Sequence, residues 1–331
     1  MNKSTFSMQV DPEMFAPVPK SERVQLSTMR PSTTYWQDAG RRLKRNKVAM
    51  ASIVVILIVF LFAFIGPTVM PYTYEQQIRE DVDQAPSMRH WMGTDKLGRD
   101  LMVRVMIGTR ISLLVGLIAT FIILVIGSIY GSIAGLLGGW IDNLMMRFVE
   151  ILYSVPDILI VILLSVTLKD PLTQLFESGG VLSGLAGIGP GLISIFLTFA
   201  LLYWVGMARM VRGQVMQIKE QEFVTAARAL GASNRRIILR HLIPNSIGPI
   251  IVTATFQIPS AIFVESFLSF IGLGVSAPMA SLGSLASDAM NGVYTYPYRL
   301  LFPAVIIALI ILAFNQLGDG LRDALDPKMK K

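Results

Sequence analysis

Residues able to do chemistry are few in this chain, and they are scattered. Only two histidines, His90 and His241, occur in 331 residues, and there is no cysteine. Disulfide frameworks and thiolate metal sites are therefore excluded. The histidines lie far apart, and neither stands in an H-x-x-x-H or HExxH arrangement. No Gly-Lys dipeptide occurs, so the G-x-x-x-x-G-K-[ST] phosphate loop is missing too. What remains is a small set of ionisable residues within apolar stretches, which are functional candidates by default. Asp157 follows Pro156, and Glu265 lies behind Pro259. A carboxylate exposed to lipid costs about 2.5–3.5 kcal/mol on insertion scales. Asp157 is therefore expected to face a bundle interior or a wet cavity, either lining a path or bonding to a proline-freed backbone. Glu265 is expected to gate an outer mouth or to reach headgroup water. Arg147 and Glu150, one turn apart, read as an interfacial ion pair. No paired carboxylates, catalytic triad or metal cluster emerges.

The elements holding these residues are membrane spans. Hydrophobic residues make up 53% of the chain and charged ones 15%, against about a quarter charged in soluble domains. Roughly 20 apolar residues cross a bilayer core. Six runs qualify: 48–70, 111–141, 144–168, 191–208, 247–270 and 300–317. The expected fold class is an all-α integral membrane protein with six transmembrane helices. The net charge of +7 does not point to nucleic acid, because of where the cations sit. Arg41, Arg42, Lys44, Arg45 and Lys47 precede the first span, which puts the N-terminus inside. Six spans then put residues 209–246 and the C-terminus inside as well, and both are basic. Residues 1–33 read as a flexible tail. Residues 35–47 read as a basic helix on the membrane surface, with Trp36 as an interfacial anchor. Leu101, Val105 and Ile107 to Gly108 predict a short amphipathic helix before the second span. In that span Gly127, Gly131, Gly135, Gly138 and Gly139 allow close helix approach. The run Gly93 to Asp100 reads as a glycine-hinged turn, and residues 177–191 as a mobile connection.

The inner loop between the fourth and fifth spans has its own pattern. Phe223, Ala226, Ala227 and Leu230 follow i, i+3, i+4, i+7 and form one apolar face. Gly231 supplies a C-terminal stop. Ser233 can cap a second helix, residues 234–243, which carries Arg236 and Arg240 one turn apart and ends at Pro244. Such a face either docks against a partner protein or lies on the lipid surface.

The run from Thr225 to Pro244, T-A-A-R-A-L-G-A-S-N-R-R-I-I-L-R-H-L-I-P, resembles the EAA loop of ABC importer permeases. That motif is E-A-A, three residues, G, nine residues, then I-x-L-P. Ala226, Ala227, Gly231 and Pro244 fall in register, while Thr225 replaces the glutamate, His241 the isoleucine and Ile243 the leucine. The ending His241 to Asn245 resembles the peptide and nickel branch. Arg42 to Met50, Gly93 to Asp100 with Gly108 to Ser112, Glu265 to Gly274, and Asn315 to Pro327 resemble further blocks of C-type oligopeptide, dipeptide and nickel permeases. Ser281-Leu282-Gly283 stands where many relatives have S-W-G.

The resemblance implies a type I importer permease fold. It divides the chain into an inner tail and surface helix (1–47), a first helix (48–70), an extracytoplasmic segment (71–110), a core (111–320) with coupling loop 209–246, and a tail (321–331). It implies contact of Phe223, Thr225, Ala226, Ala227, Leu230, Gly231, Arg235, Arg236, Arg240, His241 and Pro244 with an ATPase. Implied partners are a second homologous permease, two cytoplasmic ATPases that bind ATP and magnesium, an extracytoplasmic substrate-binding protein and membrane lipid. The chain itself would hold no cofactor, and would lie in a bacterial or archaeal cytoplasmic membrane. The implied cargo is oligopeptides or dipeptides, whose amino groups Asp157 could meet. Nickel chelates, glutathione or another small solute are the alternatives. A proton-coupled secondary transporter built on Asp157 or Glu265 is the reading from a different class.

Overall fold

The computed structural model describes residues 34–177, 189–275 and 279–326. The tail 1–33, most of the connection 177–191 and residues 327–331 lie outside that range. Among the described residues there is no strand, and six helices are long and apolar enough to cross a membrane. In lipid every backbone group must be satisfied within the segment, which leaves helices as the way across.

Helix α1 (Tyr35–Arg45) opens on a capping box between Thr34 and Gln37. Asn46 ends it and caps α2 (Lys47–Phe64), accepting from the Val48 and Ala49 N–H groups at 3.1 Å. The Tyr35 hydroxyl donates to the Leu325 carbonyl (2.9 Å), so α1 is tied to the far end of the chain. Trp36 stays exposed. Helix α3 (Leu101–Leu137) is capped by Asp100, whose Oδ1 accepts from Val103 N–H at 2.9 Å. The short amphipathic helix expected to lead into the second span forms the first turns of α3 itself. Its cations are used rather than solvated: Arg110 donates to the carbonyls of Ala63 and Phe64 (3.0 and 3.2 Å), closing the end of α2.

The expected third span, 144–168, is two helices. Helix α4 (Gly139–Tyr153) stops, Ser154 to Pro156 interrupt, and α5 (Asp157–Glu177) begins afresh. Pro156 has no N–H to donate, and its ring disfavours helical geometry at Val155. Arg147 and Glu150 on α4 do pair, at 3.1 Å, both exposed. Helix α6 (Pro190–Ile218) carries one π-turn, Phe199–Tyr203. After it come α7 (Glu222–Ala229), α8 (residues 234–245), α9 (Ile247–Phe270), α10 (Leu282–Met290) and α11 (Tyr298–Leu325).

The most extensive helix–helix contact is that of α3 with α6, and glycine makes it possible. A Cβ at Gly127 would lie 2.6 Å from Met207 Cβ, one at Gly135 2.8 Å from Val215 Cγ1, and one at Gly131 would strike the Ala208 carbonyl. Without a hydrophobic drive between helices in lipid, such backbone approach is the main source of packing. Gly138 and Gly139 do something else. Both have positive φ, and they turn the chain from α3 into α4. Around this seam lies a core including Ile123, Ile195, Phe199, Met207 and Leu268; a second core joins α2, α3, α9, α10 and α11.

At the end of the bundle opposite α7, the segment before α3 folds on polar contacts. His90 is buried, with Nδ1 2.8 Å from Asp100 and Nε2 3.3 Å from Asp81. Gly93 and Gly98 adopt positive φ around a tight turn, as the glycine spacing predicts. Inside that turn Asp95 accepts from the N–H groups of Leu97 and Arg99 and from Arg104. Arg299 of α11 donates to the Thr94 carbonyl and pairs with Asp83, pinning the turn to the bundle. Burial pushes the Asp95 carboxyl up, but the Arg99 N–H, the Arg104 guanidinium and the Leu97 N–H together outweigh it. The group is held below the usual carboxylate range.

Two expectations follow. Gly131→Ala should destabilise the protein by about 1–3 kcal/mol, read as a lower unfolding midpoint in detergent. Gly213→Ala, which meets open space, should not. The second concerns pH. With its folded pKa depressed, Asp95 contributes stability that is complete above the unfolded value of about 4 and is lost as pH falls through the lower folded value. Hydrogen exchange at Leu97 and Arg99 should therefore stay slow through mildly acidic pH and accelerate only below it, and Asp95→Asn should remove that dependence.

Candidate functional site

Two places gather the candidate residues: the loop around α7, and a cavity where α4, α5, α6 and α9 meet.

The loop presents one face outward and buries the other. Phe223, Ala226 and Leu230 are exposed, Leu230 at 89%, and Ala227 is half-buried. Val224, between them in sequence, is fully buried. With Ile237 and Leu242 it inserts among Val211, Val215 and Ile218 of α6. This anchor is what the sequence reading missed. The end of α7 is a Schellman motif: Gly231 N–H donates to Arg228 O (2.9 Å) and Ala232 N–H to Ala227 O (3.0 Å), with Gly231 at φ +80°. Ser233 then caps α8 through the Arg236 N–H.

Pro244 does not end α8. The helix runs on to Asn245 because Ile238–Leu242 widen into a π-turn. Such a turn shifts the ladder by one residue, which accommodates a proline lacking its donor. The Asn245 side-chain amide donates to the His241 carbonyl at 2.6 Å. The His241 ring lies 6.2 Å from the Phe223 ring, across the groove between α7 and α8. Arg235, Arg236 and Arg240 are exposed on the outward side, as is Thr225. The result is an apolar knob rimmed by cations on a rigid base. The base continues into the bundle: Arg212 of α6 holds Asp142 of α4 through both carboxylate oxygens (2.5 and 2.6 Å).

The cavity has a volume of about 570 Å3. Asp157 stands at its edge, in the first turn of α5 rather than several turns into a span. Its Oδ1 accepts from Ile158 N–H (2.9 Å) and its Oδ2 from the Tyr203 hydroxyl (3.4 Å). Gln257 and Ser260 of α9 line the same space. Glu265 is not there. It is fully buried, away from headgroup water, accepting from Ser112 (2.8 Å) and Ser269 (2.7 Å). Ser112 also accepts from Leu282 N–H, and Ser269 from Val275 N–H. Glu265 thus fastens α3, α9 and the start of α10 together. Among the described residues no group of His, Cys, Asp and Glu is arranged to hold a metal ion.

Over residues 127–331 the chain matches the family model of the binding-protein-dependent transport system inner membrane component. The chain belongs to this permease family. Residues 34–86 match the model of the N-terminal TM domain of oligopeptide transport permease C. A dipeptide transport system permease protein of Bacillus subtilis is 47% identical, over 98% of this chain and 95% of its own length. An oligopeptide transport system permease protein of the same organism is 42% identical, over 96% and 98%. That of Haemophilus influenzae is 46% identical, over 88% of each. As a member of this family the protein is a multi-pass, non-catalytic transport component of an ABC importer.

Glu265→Ala should cost about 3 kcal/mol, since it strips buried serine hydroxyls of their acceptor and leaves a void. Thermal unfolding of the purified protein is the measurement. Glu265→Gln, which keeps an acceptor, should cost less.

Proposed function

We propose that this protein is the C-type membrane subunit of an importer for oligopeptides or dipeptides, coupled to cytoplasmic ATPases through α7. The observation that carries the coupling role is the outward apolar face of Phe223, Ala226 and Leu230 on a loop whose opposite face is buried in the bundle. A cationic rim suits anionic lipid as well as a protein, but a helix lying on lipid has no need of a back face locked into the bundle; a protein groove with acidic edges matches the rim and the rigid base together. Two ATPases, binding ATP and magnesium, would close on one another and carry α7 with them. Because Val224, Ile237 and Leu242 lock the loop to α6, the displacement passes into α6 as a body. Through Arg212 and Asp142 it reaches α4, and so the walls of the cavity.

The basic residues before α2 and around α7 support an orientation with both termini and the loop in the cytoplasm of a bacterial or archaeal cell. Residues 71–110 would then face outward, where a substrate-binding protein delivers cargo. A second, homologous permease would complete the path on the open side of the cavity. The names of the relatives favour peptides over nickel chelates, glutathione or another small solute. Family membership favours ATP coupling over proton coupling by Asp157 or Glu265.

Leu230→Asp should lower peptide-stimulated ATP hydrolysis in the reconstituted complex by about tenfold or more, the scale of a lost anchor residue, with the unfolding midpoint unchanged. Gly231→Val should leave the ATPases bound but reduce uptake, since a branched residue strains the positive-φ position and re-aims the knob. Full peptide-stimulated hydrolysis in Leu230→Asp together with full uptake in Gly231→Val overturns the docking role. Uptake that persists without ATPases and needs a proton gradient overturns the importer reading.

A further inference from the structure

We infer that Asp157 and Tyr203 form a station for the free α-amino group of a peptide in transit through the cavity, with Gln257 and Ser260 opposite holding its backbone. This rests on the peptide reading above and names how that cargo is held.

The cavity is chemically one-sided. Asp157 is the one ionisable carboxylate among its lining residues, and no Lys or Arg lines it. Arg209 does not line the cavity; its guanidinium is stacked 4.2 Å above the ring of Tyr153, a lining residue, and makes no ion pair with Asp157. A carboxylate accepts at about four lone-pair positions, and here two are used, by Ile158 N–H and the Tyr203 hydroxyl. The remaining positions are open to the cavity. Asp157 stands in the first turn of α5, and a helix N-terminus is a favourable place for negative charge. A peptide α-amino group, with a pKa of about 8, is cationic at neutral pH.

The surroundings match the rest of a peptide. Gln257 and Ser260 lie one turn apart on α9, both line the cavity, and neither side chain has a hydrogen-bond partner among the described residues. They offer donors and acceptors to a backbone amide without selecting a side chain. Leu202, Ile160 and Val205 supply apolar wall. Tyr203 reaches Asp157 from the π-turn at Phe199–Tyr203, and a π-turn in an otherwise regular helix commonly marks a functional site. Its hydroxyl holds one oxygen of Asp157 at long range, leaving a contact that an incoming ammonium can displace.

The test uses the full complex with its ATPases in nanodiscs and a photoreactive peptide made with a free or an acetylated N-terminus. In wild type the free form should label the cavity about tenfold more than the acetylated form, the value of one charge-assisted contact. Asp157→Asn, which keeps the helix cap, should remove the difference, Asp157→Glu should retain it, and Tyr203→Phe should narrow it. Equal labelling by both forms in wild type, with uptake intact, overturns the station alone. The same holds if the difference survives in an assembled Asp157→Asn complex. If wild type neither imports nor is labelled by either peptide, the peptide reading falls and the station with it. Should Asp157→Asn fail to assemble, the wild-type comparison still decides.

Discussion

The largest contact in this molecule is the backbone approach between α3 and α6. Lipid offers apolar helices no reason to associate, so the pair depends on the absence of side chains at Gly127, Gly131 and Gly135. An earlier turn of α3 carries Ser112, and through it Glu265 of α9 and the start of α10. The far end of α6 runs into the loop and receives Val224, Ile237 and Leu242. The seam is therefore a keel: the loop is mounted on one side of it and the polar bracket on the other. Motion applied at α7 has a stiff element to act on.

Much of this is legible in the residues, for identifiable reasons. Hydropathy placed five of the six candidate spans on one helix each, because a bilayer sets a minimum apolar length. The apolar face of α7 follows from its 3.6-residue period, and Gly231 from the steric demand of a left-handed cap. The failures have causes too. Counting apolar residues ran 144–168 together, since an amphipathic α4 and an apolar α5 read alike unless Pro156 is weighted. Pro244 looked like a terminator because proline in a regular helix is one; the π-turn before it changes the rule. Val224 was missed because it neighbours Phe223, and the 223–226–227–230 stripe already explained the pattern. Ile237 and Leu242 stand five apart, a π-turn spacing that a search at three and four cannot see.

The two carboxylates set in apolar sequence have opposite fates, and burial separates them. Glu265 is saturated by serines and faces no cavity. Asp157 keeps spare acceptor capacity beside open space. Sequence alone could not tell them apart, because what distinguishes them is donated by residues far away: Ser112 in one case, Tyr203 in the other. The Gly93–Asp100 turn shows the same dependence, since Arg299 pins it from the last helix.

Glu265 also has a consequence for biogenesis. When α9 leaves the ribosome, its carboxylate has a partner already made on α3 and another within its own helix, but the α10 cap near Ser281 is not yet synthesised. Glu265 stands in the last two turns of α9, and an ionisable group there is unfavourable in lipid until it has partners. Ser112 of α3 and Ser269 of α9 supply those partners, and the Leu282 N–H at the start of α10 then donates to Ser112. A residue that looks like a static bracket in the finished protein therefore gains its partners in chain order, the last of them with α10.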